Sequence, residues 1–203
     1  MNLTIFEGKN KDELKQKLIE ELNVSENEVL FSYETKKGGL FKSESYIIKG
    51  IKLTDVKDAI VDYLKDLVTN MGLDVQMESN IRDNQINIKM FSNNNPILIG
   101  KNGQTLIALQ NIVKQMVYAK INVYPYILLD VENYKDKKQN NLEYHAKKIA
   151  KEVQRTKQDA ILDDMNSYER KIIHDVLTNF KNIKTESEGE EPHRHIIIKY
   201  VEE

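Results

Sequence analysis

The sequence predicts an α+β protein of three small α/β modules in series, at residues 1–52, 53–133 and 134–203. Apolar residues recur with a period of 3.6 in some segments and of two in others, which is typical of helices and strands mixed along one chain. A length of 203 residues with 40% hydrophobic content is enough for a buried core and for more than one small domain. Since we find no internal repeat and no long disordered linker, we expect the modules to follow one another directly.

The composition excludes several kinds of site before any motif is considered. The chain has no cysteine, which excludes disulfides, cysteine-bound zinc and a cysteine nucleophile. No window approaches the roughly 18 consecutive apolar residues of a membrane-spanning helix, and the N-terminus lacks a signal-peptide pattern. We expect a cytoplasmic protein without an anchoring segment, a metal site or a cofactor.

The first module is predicted to be a small β/α unit. A strand-like stretch at residues 3–6 precedes a helix whose apolar positions keep the helical period: Leu14, Leu18, Ile19 and Leu22. Strand patterns follow at residues 29–33 and 46–48, and the paired glycines of KKGGLF at residues 36–41 break the pattern between them. We predict no chemistry for this module alone.

The second module has the predicted order α-β-β-α-α-β. A helix from about residue 54 to residue 71 precedes two alternating strands at residues 73–77 and 85–90, and the link at residues 80–84 carries Arg82. A single helical turn at residues 96–99 is then followed by a long helix and by a buried strand at residues 126–131. The apolar stripe of the long helix comprises Leu106, Leu109, Ile112, Val113, Met116 and Val117.

The strongest motif is Gly100-Lys101-Asn102-Gly103, between the short and the long helix. Its glycines let the backbone approach a ligand, Lys101 adds a cation, and the free N–H groups opening the long helix favour a phosphate. In isolation, such a pair of glycines more often only turns the chain. Within this order of elements, however, the loop resembles that of a KH domain of the prokaryotic type II arrangement, which clamps about four nucleotides of a single strand. A nucleotide-hydrolysing P-loop is excluded, because Asn95 and Asn102 stand where that motif needs Gly and Ser or Thr.

The third module begins with a helix of two contrasting faces. Its apolar face comprises Leu142, Ala146, Ile149, Ala150 and Val153. The opposite face comprises Lys137, Asn141, Tyr144, Lys148, Lys151 and Arg155. Residues 134–158 contain eight Lys or Arg and three acids, although the whole chain has a net charge of −2. This local excess favours a polyanion, whereas a merely solvated helix face is the simpler alternative, and the sequence leaves both open.

A second helix is predicted from about residue 165 to residue 180, followed by strands at residues 183–187 and 194–201. Its apolar set of Tyr168, Ile172, Ile173, Val176 and Phe180 places Arg170 and His174 side by side on the exposed side. We find no organised Ser or carboxylate partner for His174, so we predict no catalysis. His193 and His195 share one face of the terminal strand, and two imidazoles without a third ligand are more typical of a surface than of a metal site.

Three blocks of sequence resemble the Jag family, also called KhpB, over nearly the full length. They are KKGGLF at residues 36–41, IGKNGQTLIALQ at residues 99–110, and MNSYERKIIH at residues 165–174 with TESEGEEPHR at residues 185–194. The resemblance implies a Jag N-terminal domain, a KH domain and an R-x3-H domain, whose defining Arg and His match Arg170 and His174. The chain departs from the family in having Asn102 where His is common, Lys instead of Arg in the tract at residues 134–138, and almost no spacer after the first module.

The resemblance also implies a bacterial RNA-binding protein with a role in cell elongation and division. The implied partners are single-stranded RNA, a small stand-alone KH protein and a neighbouring membrane insertase. Single-stranded DNA and a second copy of the chain are further candidates.

We therefore expect a non-enzymatic RNA-binding protein. The expected contacts of the KH module are Gly100, Lys101, Asn102, Gly103, Arg82, Ile97 and Ile99. Those of the third module are Arg170, His174, Lys148, Lys151, Arg155 and Arg194. An interaction scaffold with RNA binding secondary is the alternative, which the balanced net charge favours, and a nuclease lacks a credible metal or nucleophile set.

Overall fold

The structure, a computed structural model, describes residues 1–37 and 44–202. Helices and strands are mixed along the chain, which confirms the α+β class. The chain forms two compact units, Met1–Glu132 and Asn133–Glu203. The boundary predicted after residue 52 lies inside the first unit, where a strand runs directly into a helix, so the division into three modules stays a prediction.

The first sheet belongs to the N-terminal part of the first unit. It comprises β1 (Thr4–Gly8), β2 (Val29–Lys36) and β3 (Ser45–Lys52), paired antiparallel in the order β1-β3-β2. Helix α1 (Lys11–Leu22) contributes Leu14 and Leu18 to a core shared with Val29 and Ile48. The predicted strand break at the glycines of KKGGLF falls outside the described residues.

The second part of the first unit has the predicted order of elements. These are α2 (Leu53–Asn70), β4 (Val75–Arg82), β5 (Gln85–Ser92), α3 (Asn95–Ile99), α4 (Gln104–Ile121) and β6 (Tyr126–Val131). The central strand β5 is antiparallel to β4 and parallel to β6. Ile86, Ile88 and Leu129 are at most 1% exposed, which places the core on the sheet face against which the helices pack.

The β4–β5 hairpin is tighter than predicted. The prediction of a link at residues 80–84 is wrong, because β4 continues to Arg82 and pairs there with Gln85. The remaining two-residue turn, Asp83 and Asn84, has φ values of 49° and 60°. Asp and Asn tolerate this left-handed conformation, which two-residue hairpin turns require.

The second unit packs two helices on a third sheet. Its elements are α5 (Tyr134–Thr156), β7 (Ala160–Ile161), α6 (Ser167–Leu177), β8 (Ile183–Glu188) and β9 (His195–Tyr200), with strand order β7-β9-β8. Helix α5 buries Ala146, Ala150 and Val153, which confirms its predicted apolar face.

Edge strand β8 carries an ion-paired side chain on the sheet face away from the helices. The Lys199 ammonium, followed by that of Lys184, lowers the pKa of Glu186 from 4.5 to about 2. Glu186 is therefore ionised at neutral pH, and charged side chains on an edge strand disfavour pairing with another chain.

No helix among the described residues combines the length and the apolar composition that a membrane-spanning helix needs.

Candidate nucleic-acid interface

Residues 100–103, called here the glycine loop, join α3 to α4 in a backbone conformation that suits glycine. Gly100 has φ 71° and ψ 178°, Asn102 has φ 56°, and Gly103 has φ 86°. The Gly100 N–H donates to Pro96 O at 2.8 Å, and the Gly103 N–H donates to Gly100 O at 3.2 Å. The loop is thus a tight, non-helical turn held by its own backbone.

Gly100 is required both by its conformation and by its surroundings. Its φ and ψ lie in a region that is essentially restricted to glycine. A Cβ at this position would lie 2.1 Å from Thr105 Oγ1 and 2.9 Å from Thr105 N. The loop backbone therefore packs directly against the first turn of α4.

The glycine loop presents a cation to solvent at the N-terminus of α4. Lys101 is exposed and has no ion pair within the described part of the chain. Gly103 is the N-cap of α4, and no side chain caps this helix end. The Gln104 N–H donates to Lys101 O, so the loop attracts a phosphate through Lys101 and through the positive end of the α4 dipole.

Apolar side chains flank the loop on both helices. Ile97 on α3 is 47% exposed and Ile107 on α4 is 57% exposed, while Leu98 is fully buried. Ile99 is half-buried. Ile107 was not among the predicted site residues. Its position lies outside the apolar stripe of Leu106, Leu109 and Val113, and this could have shown that Ile107 is exposed.

The charge distribution around the loop is a second signal that the sequence analysis missed. Residues 84–129 contain no acid and four lysines, in a chain whose charged fraction is 31%. This stretch includes β5, the glycine loop and all of α4. A polyanion would meet no carboxylate from this stretch as it approaches the loop.

The structure does not bring Arg82 to the glycine loop. Arg82 pairs with Gln85, which is the first residue of β5. The glycine loop instead follows α3, which begins just after Ser92, the last residue of β5. The seven steps from Gln85 to Ser92, at about 3.4 Å each, separate these two ends by about 24 Å. Arg82 therefore lies at the end of the sheet where α4 finishes, not where it begins.

In the second unit, the basic face of α5 is exposed as predicted. Lys148 and Lys151 are exposed and have no ion pair within the described residues, and Tyr144 on the same face is 66% exposed. Arg155 is also exposed, but its Nη2 donates to Glu152 Oε1 at 3.0 Å. We call Tyr144, Lys148, Lys151 and Arg155 the α5 stripe.

Two other predicted residues lie along edge strand β8. His174 on α6 is exposed, with Nδ1 2.7 Å from Thr185 Oγ1. Arg194 donates from Nε to Ser187 Oγ at 3.0 Å. Thr185 and Ser187 are two residues apart in a strand and share a face, so His174 and Arg194 are neighbours along β8.

The predicted exposure of Arg170 is wrong. Arg170 is only 8% exposed, and its guanidinium donates from Nη1 to Met165 O at 2.6 Å and from Nη2 to Glu191 Oε1 at 2.8 Å. The buried face of α6 is formed by Arg170, Ile173 and Leu177, whereas Tyr168, predicted to be apolar core, is 65% exposed. Arg170 therefore holds the segments before α6 and before β9 together instead of facing solvent.

This placement predicts a stability effect at Arg170. Arg170→Ala should lower the free energy of unfolding by about 2–3 kcal/mol, because Met165 O and Glu191 lose charge-assisted hydrogen bonds. Arg170→Lys should lose most of this stability, because Lys lacks the planar fork that reaches both partners. Denaturant unfolding followed by circular dichroism measures both.

Arg155→Ala is the matched control. Its side chain is 75% exposed, so we expect a change below about 0.5 kcal/mol. An Arg170→Ala protein as stable as the wild type would contradict the positioning role.

His193 and His195 converge on one carboxylate. Asp164 Oδ2 lies 3.0 Å from His193 Nδ1, and Asp164 Oδ1 lies 3.4 Å from His195 Nδ1. Within the described residues, no group of three or more His, Asp or Glu side chains forms that could hold a metal ion. These histidines therefore connect the start of β9 to the segment before α6.

The chain is similar to known proteins over both regions. Residues 57–124 match the KH-domain family of KhpA and KhpB, and residues 140–200 match the R-x3-H domain family. The RNA-binding protein KhpB of Clostridium symbiosum is 34% identical over 203 residues, which covers 98% of this chain and 91% of that protein. The RNA-binding protein KhpB of Bacillus subtilis is 31% identical over 199 residues, which covers 95% of this chain and 96% of that protein. Neither matched domain family is a family of enzymes.

Proposed function

The chain belongs to the KhpB family, also called the Jag family, and on this premise we propose that it binds single-stranded RNA without catalysis. The glycine loop binds the sugar-phosphate backbone of a short unpaired segment. Gly100 and Gly103 allow the close approach, Lys101 neutralises a phosphate, and Asn102 adds a polar contact. Ile97 and Ile99, together with Ile107, support the bases beside the loop.

One observation carries this proposal: an uncapped helix end, an exposed lysine without an ion pair among the described residues and two positive-φ glycines meet in four residues. Each feature alone is common in proteins. Together they provide the positive end of a helix dipole, a cation and close access for a phosphate at the same point, in a stretch of 46 residues without an acid.

The second unit provides a further contact surface for single-stranded RNA. Lys148 and Lys151 of the α5 stripe contribute charge, Arg155 joins them once released from Glu152, and Tyr144 offers a ring for base stacking. His174 and Arg194 form a second polar group along β8, and a neutral imidazole can hydrogen-bond at pH 7. Arg170 acts indirectly, by positioning the segment that ends at Arg194.

A salt titration tests the electrostatic part of this function. For single-stranded RNA, the logarithm of the association constant should fall linearly with the logarithm of salt concentration, by about 0.7 per neutralised phosphate. Lys101→Ala should reduce the magnitude of the slope by about 0.7, because one phosphate contact is lost. Fluorescence anisotropy of a labelled RNA oligonucleotide measures this slope.

The control for the salt titration is Lys65→Ala on the exposed side of α2. This variant should keep the wild-type slope. A salt-independent affinity of the wild type would contradict a phosphate-binding role.

An interaction scaffold with secondary RNA binding is the second candidate, and the outer face of α4 favours it. Ile107, Ile112 and Tyr118 are 57%, 41% and 36% exposed on this helix, and Lys120 is its only exposed charged position. Such a surface suits a protein partner. The small stand-alone KH protein implied by the family is the partner we propose, ahead of a membrane insertase or a second copy of the chain. A cytoplasmic role in cell elongation and division follows from the same family relation.

A further inference from the structure

We propose that the polar face of the second sheet is a further contact surface for single-stranded nucleic acid, where Tyr126 stacks on a base and the amides of Asn80 and Gln85 bind its edge. This inference rests on the proposed function, because it takes nucleic acid as the ligand class. It adds a base-contacting surface that is separate from the glycine loop and from the α5 stripe.

The strand register places an arginine, an amide and an aromatic ring in one row. Arg82 of β4 pairs with Gln85 of β5, and Gln85 pairs with Tyr126 of β6. Residues paired across a ladder point to the same face of the sheet. Their sequence neighbours Ile86 and Ile127 are buried in the core, so the row lies on the opposite, polar face.

A second row of amides lies beside the first. Asn80 of β4 pairs with Asn87 of β5, and Asn87 pairs with Leu128 of β6. Adjacent strands are about 4.8 Å apart, so the two rows form a continuous surface across all three strands.

The amides leave a donor and an acceptor available. Gln85 Nε2 donates to Asn87 Oδ1 at 2.7 Å, and Asn87 Nδ2 donates to Asn80 Oδ1 at 3.2 Å. Within the described part of the chain, Asn80 Nδ2 and Gln85 Oε1 have no hydrogen-bond partner. This donor and this acceptor, at the two ends of the amide chain, can each bind a polar group of an unpaired base.

These side chains also form a concave site. A shallow pocket of about 300 Å³ is lined by Asn80, Arg82, Asp83, Gln85 and Asn87. Arg82 and Asp83 place opposite charges next to each other, so the pocket does not favour a phosphate. Asp83 can accept from a base amino group, which makes a base the better occupant.

Tyr126 supplies the stacking surface beside this pocket. It is 74% exposed, and no other large hydrophobic side chain among the described residues is more exposed. Tyr118 and Tyr124, which lie near the start of β6 in the sequence, stack on each other with ring centroids 4.3 Å apart. Tyr126 takes no part in that stack, so its ring is available for a base.

The test compares Tyr126→Ala with two matched variants of the full chain. Poly(A) RNA and an abasic ribose-phosphate oligomer of equal length serve as probes. Tyr126→Ala should weaken poly(A) binding at least about fivefold, the loss expected for one base stack. It should leave binding of the abasic oligomer unchanged. Tyr126→Phe, which keeps the ring, and Tyr63→Ala, which removes an exposed tyrosine from α2, should both bind like the wild type.

Three outcomes would overturn the inference, and they are distinguishable. If Tyr126→Ala binds poly(A) like the wild type while a glycine-loop variant does not bind, the sheet face is not a contact surface, but the proposed function is still supported. No binding of either probe by the wild type removes both. Unchanged poly(A) binding with a lower oligomeric state of Tyr126→Ala in sedimentation assigns this face to self-association instead.

Discussion

Replacing Lys101 and Asn102 together by Asp is expected to weaken RNA binding at least about 100-fold. The two substitutions make the loop more negative by three charge units, and each unit beside a phosphate should cost about 1 kcal/mol or more of binding free energy. The fold should be unaffected, since both side chains are exposed on the glycine loop. Fluorescence anisotropy with single-stranded RNA measures the affinity, and circular dichroism checks the fold.

The control carries the same charge change elsewhere in the first unit. Lys65→Asp with Asn70→Asp alters two exposed residues of α2 by the same three units. This variant should bind RNA within about threefold of the wild type, because only long-range, screened repulsion is added. Equal losses in the two double variants would show that net charge, not the loop, determines binding.

Gly100→Ala is expected to combine a large loss of stability with a loss of RNA binding. The positive φ at ψ 178° disfavours any side chain, and the new Cβ would lie 2.1 Å from Thr105 Oγ1 and 2.9 Å from Thr105 N. We expect the free energy of unfolding to fall by about 2–4 kcal/mol from backbone strain and overpacking. Denaturant unfolding measures this loss, and anisotropy at a temperature where the variant stays folded measures the affinity.

Gly72→Ala separates the two causes. Gly72 has φ 80°, but a Cβ there would meet no atom within 4 Å. Its cost should be limited to the backbone conformation, about 1 kcal/mol, with unchanged RNA affinity. If Gly100→Ala is as mild as Gly72→Ala, the close packing of the loop on α4 is not a constraint.

The elements around the glycine loop were predictable because local patterns determine them, as they do on α5. The helical period identified the buried face of α5, where Ala146, Ala150 and Val153 alternate with charged residues. Paired glycines between two apolar helical segments identified the loop. In both cases, the information lies within a few turns of helix.

The environment of Arg170 was not predictable in the same way. Helical periodicity assigns an arginine to the solvent side, whereas its partner Glu191 is 21 residues away in the sequence. Tyr168 was assigned to the core for its ring, but the ring is 65% exposed and its hydroxyl lies 3.3 Å from Gln139. Long-range hydrogen bonds of this kind become visible only when the strands and loops of the unit are placed.

Arg82 was misplaced for a different reason. Asn80, Asp83 and Asn84 together suggest a long turn, but Asn80 is one of the polar residues on the outer face of a half-exposed strand. Asn residues are common both in turns and on the exposed face of a strand, so the sequence alone does not show where a strand with polar residues near its end stops and the turn begins. Arg82 was therefore expected near the glycine loop, whereas it lies at the far end of the sheet.

The most direct test of the central claim is ultraviolet crosslinking in cells, with sequencing of the attached RNA and mass-spectrometric mapping of the crosslinked residue. RNA recovered above background and attached within residues 97–107 is the predicted result. Recovery at background level, or attachment only outside residues 97–107, would contradict it.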